Sequence, residues 1–287
     1  MSRYPIFIVG SPRSGTSLLV DAMLSAGYHG FREGNFLPLV TTLQTAIDHH
    51  FSIFAAGGRQ TLVGNIDKAV LSADMLRVIK SAVDPHVTQA PWFDKSGNPA
   101  MIMAIGAIRS LWPESVFIFA KRRGIENLVS RLKKFPNHNF EYHCKDWSRT
   151  MLEWRKVRDT LPPGTGIEID QQDFVRDPSR VAAKLVNFLQ LPADRTQRVL
   201  ETLQRNRPQE TESNSAARIY SLAKLDWSEP QKAAFMSNCL TEMQAYGYTL
   251  DETYEENPHT GQGNDKTDWR TSNPGLSEPL APVGSAS

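Results

Sequence analysis

Hydrophobic positions along the chain fall into two kinds of pattern. Pro5-Ile6-Phe7-Ile8-Val9, ending at Gly10, and Ser115-Val116-Phe117-Ile118-Phe119-Ala120 are apolar almost without interruption. A β-strand buried on both faces of a parallel sheet reads this way. Gly166-Ile167-Glu168-Ile169 is a shorter third run. Elsewhere apolar residues recur at helical spacing. Leu18, Leu19, Ala22, Met23 and Ala26 mark a helix from Thr16 to Gly27, with the glycine as its stop. Ile125, Leu128, Val129 and Leu132 mark another, ended near Pro136, and Asp177-Pro178 opens one over Ser179 to Leu189. A last helix is predicted from Glu229 to Tyr248. Strands alternating with helices predict an α/β fold, a central parallel sheet flanked by helices. Helical patterns over Phe36–Ala56 and Ile66–Val83 interrupt this alternation. They read as a helical insertion over about 36–90, on the open side of the sheet where α/β proteins place substrate-specific elements.

Residues 251–287 show no apolar periodicity and are rich in Gly, Pro, Asn, Ser, Thr and Asp. They are expected to form a flexible acidic tail behind a single domain over 1–250. This division changes the meaning of the formal net charge of +1. The tail holds seven acids and two bases, so the body holds 30 bases against 24 acids and favours anionic partners. Eight Lys and Arg stand against three acids within 121–149. No aromatic-interleaved RNA motif or zinc module accompanies them, so nucleic acid is not the expected partner. Two cysteines, Cys144 and Cys239, cannot build a disulfide framework, and a reduced, cytoplasmic protein is the default. No apolar run reaches the roughly 18 residues of a membrane helix, and Met-Ser-Arg-Tyr-Pro enters the first strand with no cleavage region. Oligomeric state leaves no mark on the sequence.

Candidate chemistry begins at Gly10-Ser-Pro-Arg-Ser-Gly15-Thr16-Ser17, between the first strand and the first helix. A glycine-bounded loop running into a helix N-terminus aims backbone N–H groups and the positive end of the helix dipole at one spot. The spacing is that of the nucleotide P-loop, except that Thr16 stands where the lysine belongs. A nucleoside triphosphate with magnesium is therefore poorly served. The cation has moved into the loop as Arg13, among the hydroxyls of Ser14, Thr16 and Ser17.

Pro12-Arg13-Ser14-Gly15-Thr16-Ser17 resembles the 5′-phosphosulfate loop of the sulfotransferases that use 3′-phosphoadenosine 5′-phosphosulfate (PAPS). The second signature of that family is an Arg ending a strand and a Ser eight residues later on the next helix, together gripping the donor's 3′-phosphate. Arg122 and Ser130 match it, and Arg123 is the alternative cation. The physics agrees, since a phosphate needs a cation and a hydroxyl donor. In motif style the chain is similar to the bacterial carbohydrate and tyrosylprotein sulfotransferases, with a P-loop-like fold.

The resemblance implies in-line transfer of a sulfuryl group to a hydroxyl-bearing acceptor, a carbohydrate or other small molecule. Such a step needs a base for the acceptor and cations for the leaving phosphate. It implies Glu33 as the base, in Phe31-Arg32-Glu33-Gly34, with His29 as runner-up and an ion pair with Arg32 as the bland alternative. Arg13 and Lys95 would assist the leaving group. Lys95 resembles the lysine of an Asp-Lys-Thr-Pro segment, though Ser96-Gly97 replaces Thr-Pro, and it reads equally well as an exposed turn residue. Ser213 to Trp227, with Arg218, resembles a late loop that folds over the nucleotide. No metal is expected, because no Cys/His cluster has ligand spacing, and adjacent His49 and His50 point about 100° apart on a helix. The other functions considered are a P-loop nucleotide kinase or NTPase-like protein and a non-enzymatic anion or nucleic-acid binder. The insertion's Phe36, Phe51 and Phe54 are expected in the core.

Overall fold

In the computed structural model, which describes residues 5–89, 91–205 and 218–255, the apolar runs form the middle of a parallel sheet. Strands β1 (Ile6–Gly10), β2 (His29–Phe31), β3 (Trp92–Ser96), β4 (Val116–Lys121) and β5 (Gly166–Asp170) lie in the order β2-β3-β1-β4-β5. Each pairing is parallel, and Val9 stands between Ser96 and Phe119. The connections carry α1 (Thr16–Ser25), α2 (Leu39–Phe54), α3 (Lys68–Val83), α4 (Pro99–Met103), α5 (Ile105–Leu111) and α6 (Gly124–Lys134). They continue with α7 (Phe140–Arg158), α8 (Asp173–Arg176), α9 (Pro178–Leu189), α10 (Ala193–Arg205) and α11 (Glu229–Ala245).

The uninterrupted apolar runs follow from burial of both sheet faces. Ile6, Ile8, Ile118 and Ala120 pack under α1, α9 and α10, against Leu19, Met23, Leu185 and Val199. Their strand neighbours Phe7, Val9, Phe117 and Phe119 face the other layer, where Met101, Ile105, Trp147, Trp154 and Phe235 meet them. Phe119 and Trp154 stack with ring centroids 4.7 Å apart. Local signals set the helix starts. Asp177 accepts the Arg180 N–H at 2.9 Å ahead of Pro178, and Ser228 with Gln231 makes a capping box on α11.

Four details differ from the sequence expectation. Trp92–Ser96, unmarked by pattern, is a buried strand, because its polar residues Asp94, Lys95 and Ser96 lie at the site end of the sheet. The final helix stops at Ala245, and Tyr246 to Glu255 turn back across the body. Tyr254 is fully buried and donates to Asp170 Oδ1 at 2.7 Å, so packing extends past residue 250. In the insertion, Phe36 and Phe54 are 41% and 52% exposed rather than core, since α2 buries little besides Val40. Residues 256–287 lie outside the described residues, as do 206–217. Among the described residues no helix is long and apolar enough to cross a membrane.

Candidate active site

The chain leaves β1 toward β2 on one side of the sheet and leaves β4 toward β5 on the other. Open α/β sheets bind ligands outside the carboxyl ends of strands at such a reversal. Gly10 and Ala120 are register partners there, so the loop after β1 and the turn after β4 emerge side by side.

Gly15, at φ 88°, makes the left-handed turn into α1, where a side chain would also meet the Phe174 ring at 2.8 Å. The Thr16 and Ser17 N–H groups open α1 and have no intrahelical acceptor. Helix α6 fixes the loop's shape. Asn127 Nδ2 donates to Pro12 O at 2.9 Å and to Ser14 Oγ at 3.0 Å. Arg131 Nη1 donates to Ser11 Oγ at 3.3 Å. Arg122 Nη1 donates to the Arg13 carbonyl at 3.0 Å, and Arg13 Nε to Ser130 Oγ at 2.9 Å. Arg13, Arg122 and Ser130 therefore form one cluster.

That cluster suits an anion. Arg122 is 7% exposed, and its Nε is buried with no hydrogen-bond partner among the described residues. Burial pulls the Arg122 pKa down; burial, then the Arg122 charge, does the same to Arg13. Two cations held this way are relieved by a negative ligand. Arg123 is fully buried and engaged elsewhere. It donates to Glu126 at 2.7 and 2.5 Å and to the carbonyls of Asp251 and Tyr220 at 2.6 and 2.5 Å. Of the two neighbouring arginines, Arg122 faces the loop. The exposed Arg218 lies over the Tyr220 ring, 5.1 Å from its centroid.

Glu33 follows β2 at the same end of the sheet. Its carboxylate pairs with Lys95 Nζ rather than with Arg32, which reaches Asp21 on α1 at 2.7 Å. Lys95 is a buried strand residue, 7% exposed, not a turn residue. Gly97, just beyond, approaches Gly10 and Pro12, so the end of β3 that carries the Glu33–Lys95 pair lies beside the loop after β1. His29 begins β2 opposite Trp92, the first residue of β3, and so lies toward the amino end of the sheet. There it lines a cavity of about 210 Å³ with His86, Thr88 and Gln89. Among the described residues no group of three or more His, Cys, Asp or Glu is placed to hold a metal ion.

The model of the sulfotransferase family matches residues 5–195, covering both motifs and the sheet between them. The chain belongs to that family. A sulfotransferase domain from the Synechococcus PCC 7002 olefin synthase shares the fold at a TM-score of 0.53 and 15% identity, over 86% of this chain and 95% of that one. Sulfotransferase STF9 from Mycobacterium avium does so at 0.50 and 14% identity, over 87% and 78%. An uncharacterized protein of Aquifex aeolicus (strain VF5) is 27% identical over 252 residues, 80% of this chain. The chain spans only 31% of that curated relative's length.

In this member of the family, three polar residues of the site escaped sequence reasoning. Asn127 and Arg131 lie on α6 three residues before and one after Ser130, on the face that meets the loop. The available signal was helical spacing, since polar residues at i, i+3 and i+4 share a face. The third is Asp94, 4% exposed beside Lys95.

Proposed function

We propose that this protein transfers a sulfuryl group from PAPS to the hydroxyl of a carbohydrate or other small acceptor. The observation that carries the reading is the convergence of Arg13, Arg122 and Ser130 on the loop after β1, in a chain of this family. Arg122 and Ser130 would take the 3′-phosphate. The N–H groups of Gly15, Thr16 and Ser17, with the Thr16 and Ser17 hydroxyls, would take the 5′-phosphosulfate at the helix N-terminus. The Ser14 hydroxyl accepts from Asn127 and shapes the loop. Arg218 would close over the nucleotide.

Glu33 then accepts the proton of the acceptor hydroxyl as that oxygen bonds to sulfur. The bond from sulfur to the 5′-phosphate oxygen breaks, and 3′,5′-bisphosphoadenosine departs. Lys95, with Arg13, meets the charge that grows on the leaving phosphate. An NTPase-like role is disfavoured because Thr16 replaces the lysine that a triphosphate requires. Thermal unfolding with 3′,5′-bisphosphoadenosine or with ATP and magnesium separates the two. At 100 times its Kd a ligand stabilises by about 2.7 kcal/mol. The bisphosphate should raise the melting temperature and ATP with magnesium should not; the reverse preference would discard the reading.

A further inference from the structure

Strand β3 holds the turn that carries Glu33 from two sides. Successive strand residues point to opposite faces, so Asp94 and Ser96 share one face and Lys95 takes the other. From its side Lys95 pairs with Glu33, while its carbonyl accepts the Gly34 N–H at 2.9 Å. From the other side Ser96 Oγ accepts the Asn35 N–H at 3.1 Å and donates to Asp94 Oδ2 at 3.2 Å. Asp94 Oδ1 would lie 1.5 Å from a Cβ on residue 34, so only glycine fits after Glu33. Lys95 grips the carboxylate, and Ser96, itself bonded to Asp94, grips the backbone behind it.

A carboxylate 4% exposed, with one hydroxyl donor among the described residues, is costly to ionise. The charged groups that face it are Glu33 from the turn and Lys95 from its own strand. Its register neighbours are Phe7 and Phe31, and Leu37, ahead of α2, and Val40, at its start, add apolar side chains to this layer. Burial pushes the Asp94 pKa up, the Ser96 bond pulls it down, Glu33 raises it and Lys95 lowers it, leaving it at about 6.

We propose that Asp94 is a positioning residue for the Glu33 base: through Ser96 it fixes the turn, and its charge acts across the strand on the Glu33–Lys95 pair. The proposal rests on the assignment of Glu33 as base. The linked effect on stability has a definite sign. The folded pKa lies above the ordinary carboxylate value, so the stabilising contribution is present at low pH and lost as pH rises through about 6. Asp94→Asn should therefore melt higher than the unaltered protein at pH 8, with a smaller difference at pH 5.

The decisive readout needs no acceptor. In full-length protein labelled with 13Cε-lysine, the Lys95 resonance, assigned with Lys95→Arg, should step with a midpoint near pH 6. The step should vanish in Asp94→Asn while bisphosphate affinity stays unchanged. Ser96→Ala, which leaves the charge in place, should keep the step and slow release of bisphosphate from labelled PAPS with water as acceptor. A Lys95 resonance without that step in the unaltered protein, or a step that survives Asp94→Asn, overturns the proposal. Should Asp94→Asn fail to fold, a Ser96→Ala protein with normal release overturns it instead. Failure of the unaltered protein to bind the bisphosphate would remove the function itself and Asp94's role with it. Normal binding with an indifferent Asp94 would remove only the latter.

Discussion

The donor side and the insertion side of this molecule are built by opposite means. Around the loop after β1, polar groups are buried and bonded to one another: Ser11, Ser14 and Asn127 are fully buried, and Arg131 is 3% exposed. An unpaired polar group there would cost about 1–3 kcal/mol, so each member constrains the next. Across α2 and α3 the arrangement is reversed. Apolar Ile53, Phe54, Leu62 and Val78 are exposed, and the charges pair at the surface, Lys68 with Asp48 at 2.9 Å and Lys80 with Asp84 at 2.7 Å. Such exposed pairs contribute roughly 0–1 kcal/mol. Under the proposed function the tightly determined side would take one fixed, multiply charged nucleotide, and the loosely held surface a variable acceptor.

Substituting Glu33 separates the two sides with the largest effect. It lies on the turn into the insertion, 57% exposed at its side chain, while its partner Lys95 is buried in β3. General bases contribute typically about 10²–10⁴-fold. Glu33→Gln should lower the rate of transfer from labelled PAPS across a panel of hydroxyl acceptors by that factor. Titration calorimetry should find bisphosphate affinity within about twofold of the unaltered protein, a difference of less than 0.5 kcal/mol. An active Glu33→Gln protein would move the base elsewhere, and His29 would become the next residue to substitute.

Arg122→Ala should do the converse. Hydrogen bonds to charged groups contribute about 1.5–3 kcal/mol, so bisphosphate affinity should fall roughly 10- to 100-fold. The maximal rate at saturating donor should change less. If acceptor affinity falls instead, Arg122 belongs to the other side and the division is wrongly drawn. Arg123 gives no such test, because its side chain ties α6 to Tyr220, Thr249 and Asp251.

The same contrast explains what the sequence disclosed. The strands β1 and β4 were legible because burial on both faces leaves an apolar run, and the loop because glycine, hydroxyls and one arginine occupy fixed places. Strand β3 was not, since Asp94, Lys95 and Ser96 break the apolar pattern at the positions where the sheet carries chemistry. Asn127 and Arg131 read as surface polar residues until α6 is laid against the loop, because tertiary contact alone decides which face of a helix is buried. Tyr254 looked like part of a polar tail; a single aromatic that docks onto Asp170 leaves no periodicity to detect. The exposure of Phe36 and Phe54 was hidden for the opposite reason, as apolar helical spacing predicts burial whether or not a covering layer exists.

The smallest effect sharpens the comparison furthest. Leu62 is 79% exposed, between α2 and α3. Removing its side chain should leave no cavity and no orphaned group, and surface changes of this kind stay within about 0.5 kcal/mol. Leu62→Ser should therefore match the unaltered protein in urea unfolding, in midpoint and slope, and in bisphosphate affinity. A loss of 2 kcal/mol or more, the scale of about one buried leucine, would mean that the insertion is covered in solution. The loosely held surface would then be a packed interface, and the contrast with the donor side would be one of partner rather than of construction.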